Sequence, residues 1–121
     1  MIGEALSPRG EQGGEILPRR GEVWWVRLDK RRPAVVVQTD KVGEPGVRSF
    51  LVVPLTSRLH LEGLPGNIRF TRKATGLPKA SVANVYDLQK ALRPDFVQCL
   101  GALPSEDLFA LNDGMRLVLD L

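Results

Sequence analysis

The chain holds one cysteine, one histidine and no long apolar run. A lone thiol, Cys99, cannot close an internal disulfide and supplies no metal-ligand cluster. No segment approaches the roughly 18–20 consecutive apolar residues of a membrane-spanning helix. The leading stretch MIGEALSPRGEQGGEILPRR lacks the basic-then-apolar order of an export signal, so the cytoplasm is the expected compartment. HExxH, CxxC, Walker and GxSxG patterns are all absent, which removes the common metallohydrolase, redox, nucleotide-binding and serine-hydrolase signatures. With 121 residues, the chain is long enough for one domain with a core and too short for two.

What is present is unevenly charged. Residues 19–93 carry fifteen Lys/Arg against six Asp/Glu, a net +9, while the two ends together carry two against eight, a net −6. A basic body attracts polyanions through counterion release, although a solvated basic surface has the same composition. Residues 1–19, rich in glycine and poor in apolar side chains, read as a mobile arm, and 20–121 as the folded domain.

Within that domain, EVWWVRL (22–28) alternates, PAVVVQTD (33–40) is a β-branched run opened by Pro33, and SFLVVPL (49–55) is a third apolar strand. GNIRFTR (66–72), SVANVYDL (81–88) and FVQCLGAL (96–103) read as further strands. After Pro104, Ser105 is placed to cap a helix with Glu106 and Asp107 in its first turn. Leu108, Leu111, Met115 and Val118 then lie on one helical face, which Gly114 weakens by about 1 kcal/mol relative to alanine. Short strands with a terminal helix predict a mainly β domain, a small strongly bent antiparallel sheet or barrel closed by that helix.

Two segments carry chemistry. Lys30-Arg31-Arg32 precedes the strand opened by Pro33, and Thr56-Ser57-Arg58 follows the third strand with no Gly or Asn turn between. In an antiparallel meander these ends share an edge, bringing guanidinium groups beside a hydroxyl. Arginine's fork matches non-bridging phosphate oxygens and would stabilise a pentacoordinate transition state. In RNA the nucleophile is the substrate's own 2′-OH, so neither a protein nucleophile, a metal nor a cofactor is needed. Solvated loop charges and turn-capping hydroxyls fit the same residues, and the residues alone leave both readings open. His60, four residues after Thr56, is either a base by proximity or an incidental loop histidine. Trp24-Trp25 offers a stacking face with at least one ring in the core, and Cys99 reads as a small buried residue.

The motifs R-G-E-V-W-W-V (20–26), R-P-A-V-V-V-Q (32–38), V-V-P-L-T-S-R (52–58), L-P-G-N-I (64–68), S-V-A-N-V (81–85) and L-G-A-L-P-S-E-D-L (100–108) resemble, in order and spacing, the MazF/PemK/Kid family of toxin endoribonucleases. The resemblance spans about residues 20–121. It implies an SH3-like antiparallel barrel of the MazF/CcdB type with short helices, assembled as a homodimer with no membrane partner. It implies metal-independent, sequence-specific cutting of single-stranded RNA to a 2′,3′-cyclic phosphate and a 5′-hydroxyl. It also implies restraint by a cognate MazE-like antitoxin whose extended tail fills the RNA groove.

Family catalysis maps onto Arg32 and Thr56. Because arginine is a poor base near neutral pH, transition-state stabilisation and proton donation are the expected roles of Arg32. Lys30, Arg31, Ser57, Arg58, Asn67 and Gln89 are expected RNA contacts. Two departures accompany the likeness. The connection before the R-P motif is only Asp29-Lys30-Arg31, where relatives carry a longer loop that can supply an acidic contributor. Asp87 stands where many relatives have a base-contacting Gln. A CcdB-like gyrase inhibitor, or a non-catalytic RNA- or partner-binding barrel, are the alternatives.

Overall fold

The computed structural model describes residues 17–42 and 48–121. The expected arm at 1–19 therefore lies outside the described residues as far as position 16. Beyond it, Pro18 is buried and the Arg19 N–H donates to Glu22 at 2.8 Å, so 17–19 already pack on the body. Seven strands and two α-helices follow among the described residues: β1 (Glu22–Arg27), β2 (Arg31–Val36), β3 (Ser49–Thr56), β4 (Ile68–Phe70), α1 (Arg72–Thr75), β5 (Ser81–Ala83), β6 (Gln89–Leu92), β7 (Phe96–Ala102) and α2 (Ser105–Leu119). All pairings are antiparallel, in the order β4-β5-β3-β2-β1-β7, with β6 also on β3. The result is an SH3-like sheet, strongly bent, whose ladder is not closed among the described residues.

The valine runs are continuous rather than alternating because the central strands are covered on both faces. Val23, Val35, Val53 and Leu55 pack with Phe70, Val85 and Leu111 on one side. Trp24, Val26, Ala34, Val36 and Val52 pack with Ala91 and Cys99 on the other. Fully burying such side chains contributes about 1.5–3 kcal/mol each. The second cluster is pinned by Phe96, which meets Trp24 and Phe50 edge-on with ring centroids 5.5 Å apart in both pairs. The two tryptophans thus divide between faces, Trp24 in one core and Trp25 half-buried against the other.

Three boundaries differ from the sequence pattern. β2 begins at Arg31, so Pro33 is its third residue. Pro33 is tolerated there because β3 pairs with β2 only from Ala34, leaving no ladder bond for the missing N–H to make. The stretch read as one strand over 81–88 is β5 followed by a 3-10 turn (Val85–Asp87), and β6 begins only after it, at Gln89. Leu55 pairs with Ala83, whereas continuing the Val52↔Gln89 register would set it against Tyr86, so three residues are looped out along one edge of β3. Finally, α1 lies where strand and loop were expected. Thr71 caps it, accepting from the Ala74 N–H at 3.2 Å, and Gly76 ends it with φ +81°.

The terminal helix lies where its periodicity indicates, with Leu111 buried and Met115 and Val118 packed on the core. Its N-cap is Pro104 rather than Ser105, and no side chain caps it. Gly114 has a role that propensity alone cannot show. A Cβ there would sit 2.1 Å from the Gly66 carbonyl oxygen, so the glycine is what lets α2 reach the turn before β4. No helix among the described residues is long and apolar enough to cross a membrane.

Candidate active site

The register between β2 and β3 brings the two chemical segments together. Ala34 pairs with Pro54, and continuing by two residues sets Arg32 opposite Thr56. Both side chains then fall on the sheet face shared by Ala34 and Pro54, since alternate residues of a strand point the same way.

Arg32 is held at its base. Its Nε and Nη2 donate to the two carboxylate oxygens of Asp29 at 2.7 and 2.9 Å, a bidentate fork. Three guanidinium N–H groups remain for other partners. The Asp29 carboxyl is held well below the usual carboxylate range, chiefly by its hydrogen bonds from Arg32, and the Arg32 pKa is raised by the same contact. The pair is exposed, so it adds little to stability, and its consequence is the aim of the guanidinium.

Thr56 explains why β3 needs no glycine or asparagine turn. Its Oγ1 accepts the Arg58 N–H at 3.1 Å, so the threonine makes the turn itself. That bond occupies an acceptor site of the hydroxyl and leaves the O–H free to donate.

Two adjoining clefts share Arg32, Thr56 and Arg58. The larger, about 310 Å³, is walled by Trp25, Lys30, Arg31, Ser57, Lys79 and Ser81. Arg31 lies over the Trp25 ring, its guanidinium carbon 4.9 Å from the centroid, a cation–π contact that makes a flat cationic wall. The Ser81 hydroxyl is buried without a hydrogen-bond partner among the described residues. The smaller cleft, about 170 Å³, adds Asn84 and Asp87.

Of the residues singled out from sequence, Arg32, Thr56, Lys30, Arg31, Ser57 and Arg58 are brought together. Asn67 and Gln89 line neither cleft. Asn67 is 7% exposed. Its amide accepts from the Val85 N–H at 2.9 Å and donates to the Leu61 carbonyl at 3.0 Å and Asn84 Oδ1 at 3.1 Å. Gln89 sits in β6 and donates to the Asp87 carbonyl at 3.2 Å. His60 is exposed in a 3-10 turn outside both clefts, and Cys99 is buried. Among the described residues no three His, Cys, Asp or Glu side chains converge to hold a metal. Sequence reasoning missed Asp29 as a partner of Arg32, although its i, i+3 spacing was a usable signal. It missed Lys79, which carries no motif, and it missed Ser81 and Asn84 as site residues although both stand in the S-V-A-N-V motif.

Residues 19–119 match the profile described as a PemK-like, MazF-like toxin of type II toxin-antitoxin systems. The chain belongs to the PemK/MazF toxin family. Endoribonuclease MazF6 of Mycobacterium tuberculosis is 30% identical over 110 residues, covering 84% of this chain and 96% of that protein. Endoribonuclease MazF9 of the same organism is 29% identical over 115 residues, covering 85% and 97%. Among solved structures, the Mycobacterium tuberculosis toxin MazF-mt6 superposes with a TM-score of 0.73 at 24% identity, covering 83% of this chain and 97% of that one. A mycobacterial endoribonuclease in complex with its cognate antitoxin gives a TM-score of 0.72 at 18% identity, covering 86% and 96%. These likenesses establish the PemK/MazF fold. The short connection before the R-P motif holds an acid, Asp29, directly on Arg32.

Proposed function

We propose that this PemK/MazF-family chain is the toxin of a type II toxin–antitoxin pair, a cytoplasmic endoribonuclease that cuts single-stranded RNA at short motifs without a metal. The observation that carries this reading is that Arg32, anchored by Asp29, and Thr56 line the same two clefts. The substrate's 2′-oxygen attacks the neighbouring phosphorus, forming the 2′-O–P bond as the P–O5′ bond breaks. The proton lost from the 2′-OH is balanced by one gained at the 5′-oxygen, leaving a 2′,3′-cyclic phosphate and a 5′-hydroxyl. Extra negative charge gathers on the non-bridging oxygens at the midpoint. The free N–H groups of Arg32 and the Thr56 O–H donate to those oxygens. An arginine stays protonated near neutral pH and Asp29 raises its pKa further, so Arg32 acts by hydrogen bonding and charge, and the proton donation expected of it from the sequence is not part of this reading.

Lys30, Arg31, Ser57 and Arg58 are placed to follow the RNA backbone, and the same cationic clefts suit the acidic tail of an antitoxin. The active form is proposed to be a homodimer. No observation favours a gyrase inhibitor.

Long single-stranded RNA incubated with the protein in EDTA should give discrete cuts mapped by primer extension, with 5′-hydroxyl ends. A 2′-deoxy substitution at the scissile nucleotide should abolish cutting there. Intact RNA at high protein concentration would refute the enzyme, and cutting at the deoxy site would refute the internal nucleophile.

Asp29 makes a further expectation. Its folded pKa is depressed, so the pair with Arg32 is fully formed above the ordinary carboxylate pKa of about 4 and is lost only as pH falls through the depressed value. The cleavage rate should therefore show no acid limb from Asp29 between about pH 5 and 8. Asp29→Asn should lower the rate about ten- to a hundredfold by freeing the guanidinium. An unchanged rate in that variant would remove Asp29 from the site.

A further inference from the structure

The looped-out residues between β5 and β6 give the smaller cleft a wall unlike the rest of the site. Lys30, Arg31, Arg32, Arg58 and Lys79 are cations around the two clefts, and Thr56 is a neutral donor. Beside Arg32 and Arg58, the smaller cleft is also lined by Asn84 and Asp87, an amide and a carboxylate. The Asp87 N–H donates to the Asn84 carbonyl at 3.0 Å, which closes the turn and keeps these two cleft-lining residues close together. A carboxylate repels phosphate, so this wall faces something other than the RNA backbone.

The orientation of the Asn84 amide follows from a chain of hydrogen bonds that begins at an unambiguous donor. The Val85 backbone N–H can only donate, so the Asn67 atom it meets at 2.9 Å is the oxygen. The Asn67 nitrogen is then the donor to the Leu61 carbonyl and to Asn84 at 3.1 Å. The Asn84 atom it meets is therefore the oxygen, and the Asn84 NH₂ is the end left over. The buried Asn67 thus leaves the NH₂ of Asn84 as the donor end of a residue that lines the same cleft as Asp87.

We infer that Asn84 and Asp87 form a base-reading subsite, selective for guanine flanking the scissile phosphate, with Asn67 as its positioning residue. This rests on the reading of the site as an RNA-cutting one. Single-stranded RNA is read by splaying a base out and bonding its pairing edge. A donor followed by two carboxylate acceptors needs a base that offers an acceptor followed by two donors. Guanine alone does so, with O6 beside N1–H and N2–H. Uracil has one N–H between two carbonyls, while adenine and cytosine offer an amino group beside an acceptor ring nitrogen. Each of those makes fewer complementary bonds and leaves a like pair facing. The adjoining Arg32 and Thr56 set the phosphate, so the base read here is the one next to it.

The test is a digest of long single-stranded RNA of mixed sequence in EDTA, with every new 5′-hydroxyl end sequenced. The wild-type protein should favour guanine at one position flanking the cut by about ten- to a hundredfold, the usual worth of a well-made base contact. Inosine, which lacks only the N2 amino group, should lose several-fold of that preference. Asp87→Asn and Asn84→Asp should each erase most of the guanine preference at that position while leaving preferences at other positions in place. Because the motif is read within each digest, a partly unfolded variant still reports it. Cutting by the wild type with no guanine preference beside the scissile bond overturns the subsite and leaves the nuclease reading standing. An unchanged motif in Asp87→Asn, with all sites slowed alike, also overturns it, since that is the mark of a residue acting only on Arg32. No cutting of RNA by the wild type overturns both.

Discussion

Arg32→Lys is expected to reduce RNA cleavage by about two to three orders of magnitude, the usual cost of removing a preorganised donor to a transition-state oxyanion. The substitution keeps the positive charge, so a site that needed only charge would lose little. What lysine cannot keep is the fork. Arg32 spends Nε and one Nη2 hydrogen on Asp29 and still presents three N–H groups on a rigid plane. An ammonium held by the same carboxylate would have neither the reach nor a second donor edge aimed at the phosphate. Thr56, which lines the same two clefts, would be left to donate alone. Initial rates on a defined RNA should therefore fall while the thermal midpoint stays close to wild type, since the Asp29–Arg32 pair is exposed and contributes little stability. A rate within fivefold of wild type would sink the assignment of Arg32 to the chemistry. A large fall in both rate and midpoint would make its role structural.

Gly114→Ala is expected to destabilise the domain, although helix propensity alone predicts the opposite. Alanine in a helix interior is favoured over glycine by about 1 kcal/mol. Here the new methyl would lie 2.1 Å from the Gly66 carbonyl oxygen and 3.0 Å from its carbon, and both are backbone. Gly66 is equally confined, because it holds φ +93° and a Cβ on it would meet Val118 and the Gly114 carbonyl oxygen in turn. Relief requires α2 to lift from the turn before β4, which loosens Leu111, Met115 and Val118 from the core. Overpacking of this kind costs about 1–3 kcal/mol or more, and subtracting the helix gain leaves up to about 2 kcal/mol, a drop in melting temperature of up to roughly 16 °C. Calorimetry decides the sign. A raised midpoint would mean that the helix stands further from Gly66 than the close approach requires.

Legibility was uneven, and the reasons differ from residue to residue. Strands β1, β2 and β3 and helix α2 could be read because alternation in β1, continuous apolar runs in β2 and β3, and a helical period in α2 each mark buried surface. SVANVYDL could not be divided correctly, since β-branched composition looks the same in a strand and in a short turn between two strands. Only pairing with the two halves of β3 shows that three residues are looped out. Asn67 carried the opposite error. A polar residue after Leu-Pro-Gly looks like a surface contact, yet its amide satisfies three groups beneath the cleft wall.

The sequence by itself determined the element types of the long strands, the basic body and the two segments with phosphate chemistry, because those depend on side-chain type and local period. The tertiary structure decided which of those residues meet. The β2–β3 register set Arg32 against Thr56, the turn of the short connection set Asp29 on Arg32, and the looped-out edge of β3 brought Asn84 and Asp87 to the same cleft. Such meetings are between residues distant in sequence or held by a particular backbone path. Local preferences carry no record of them.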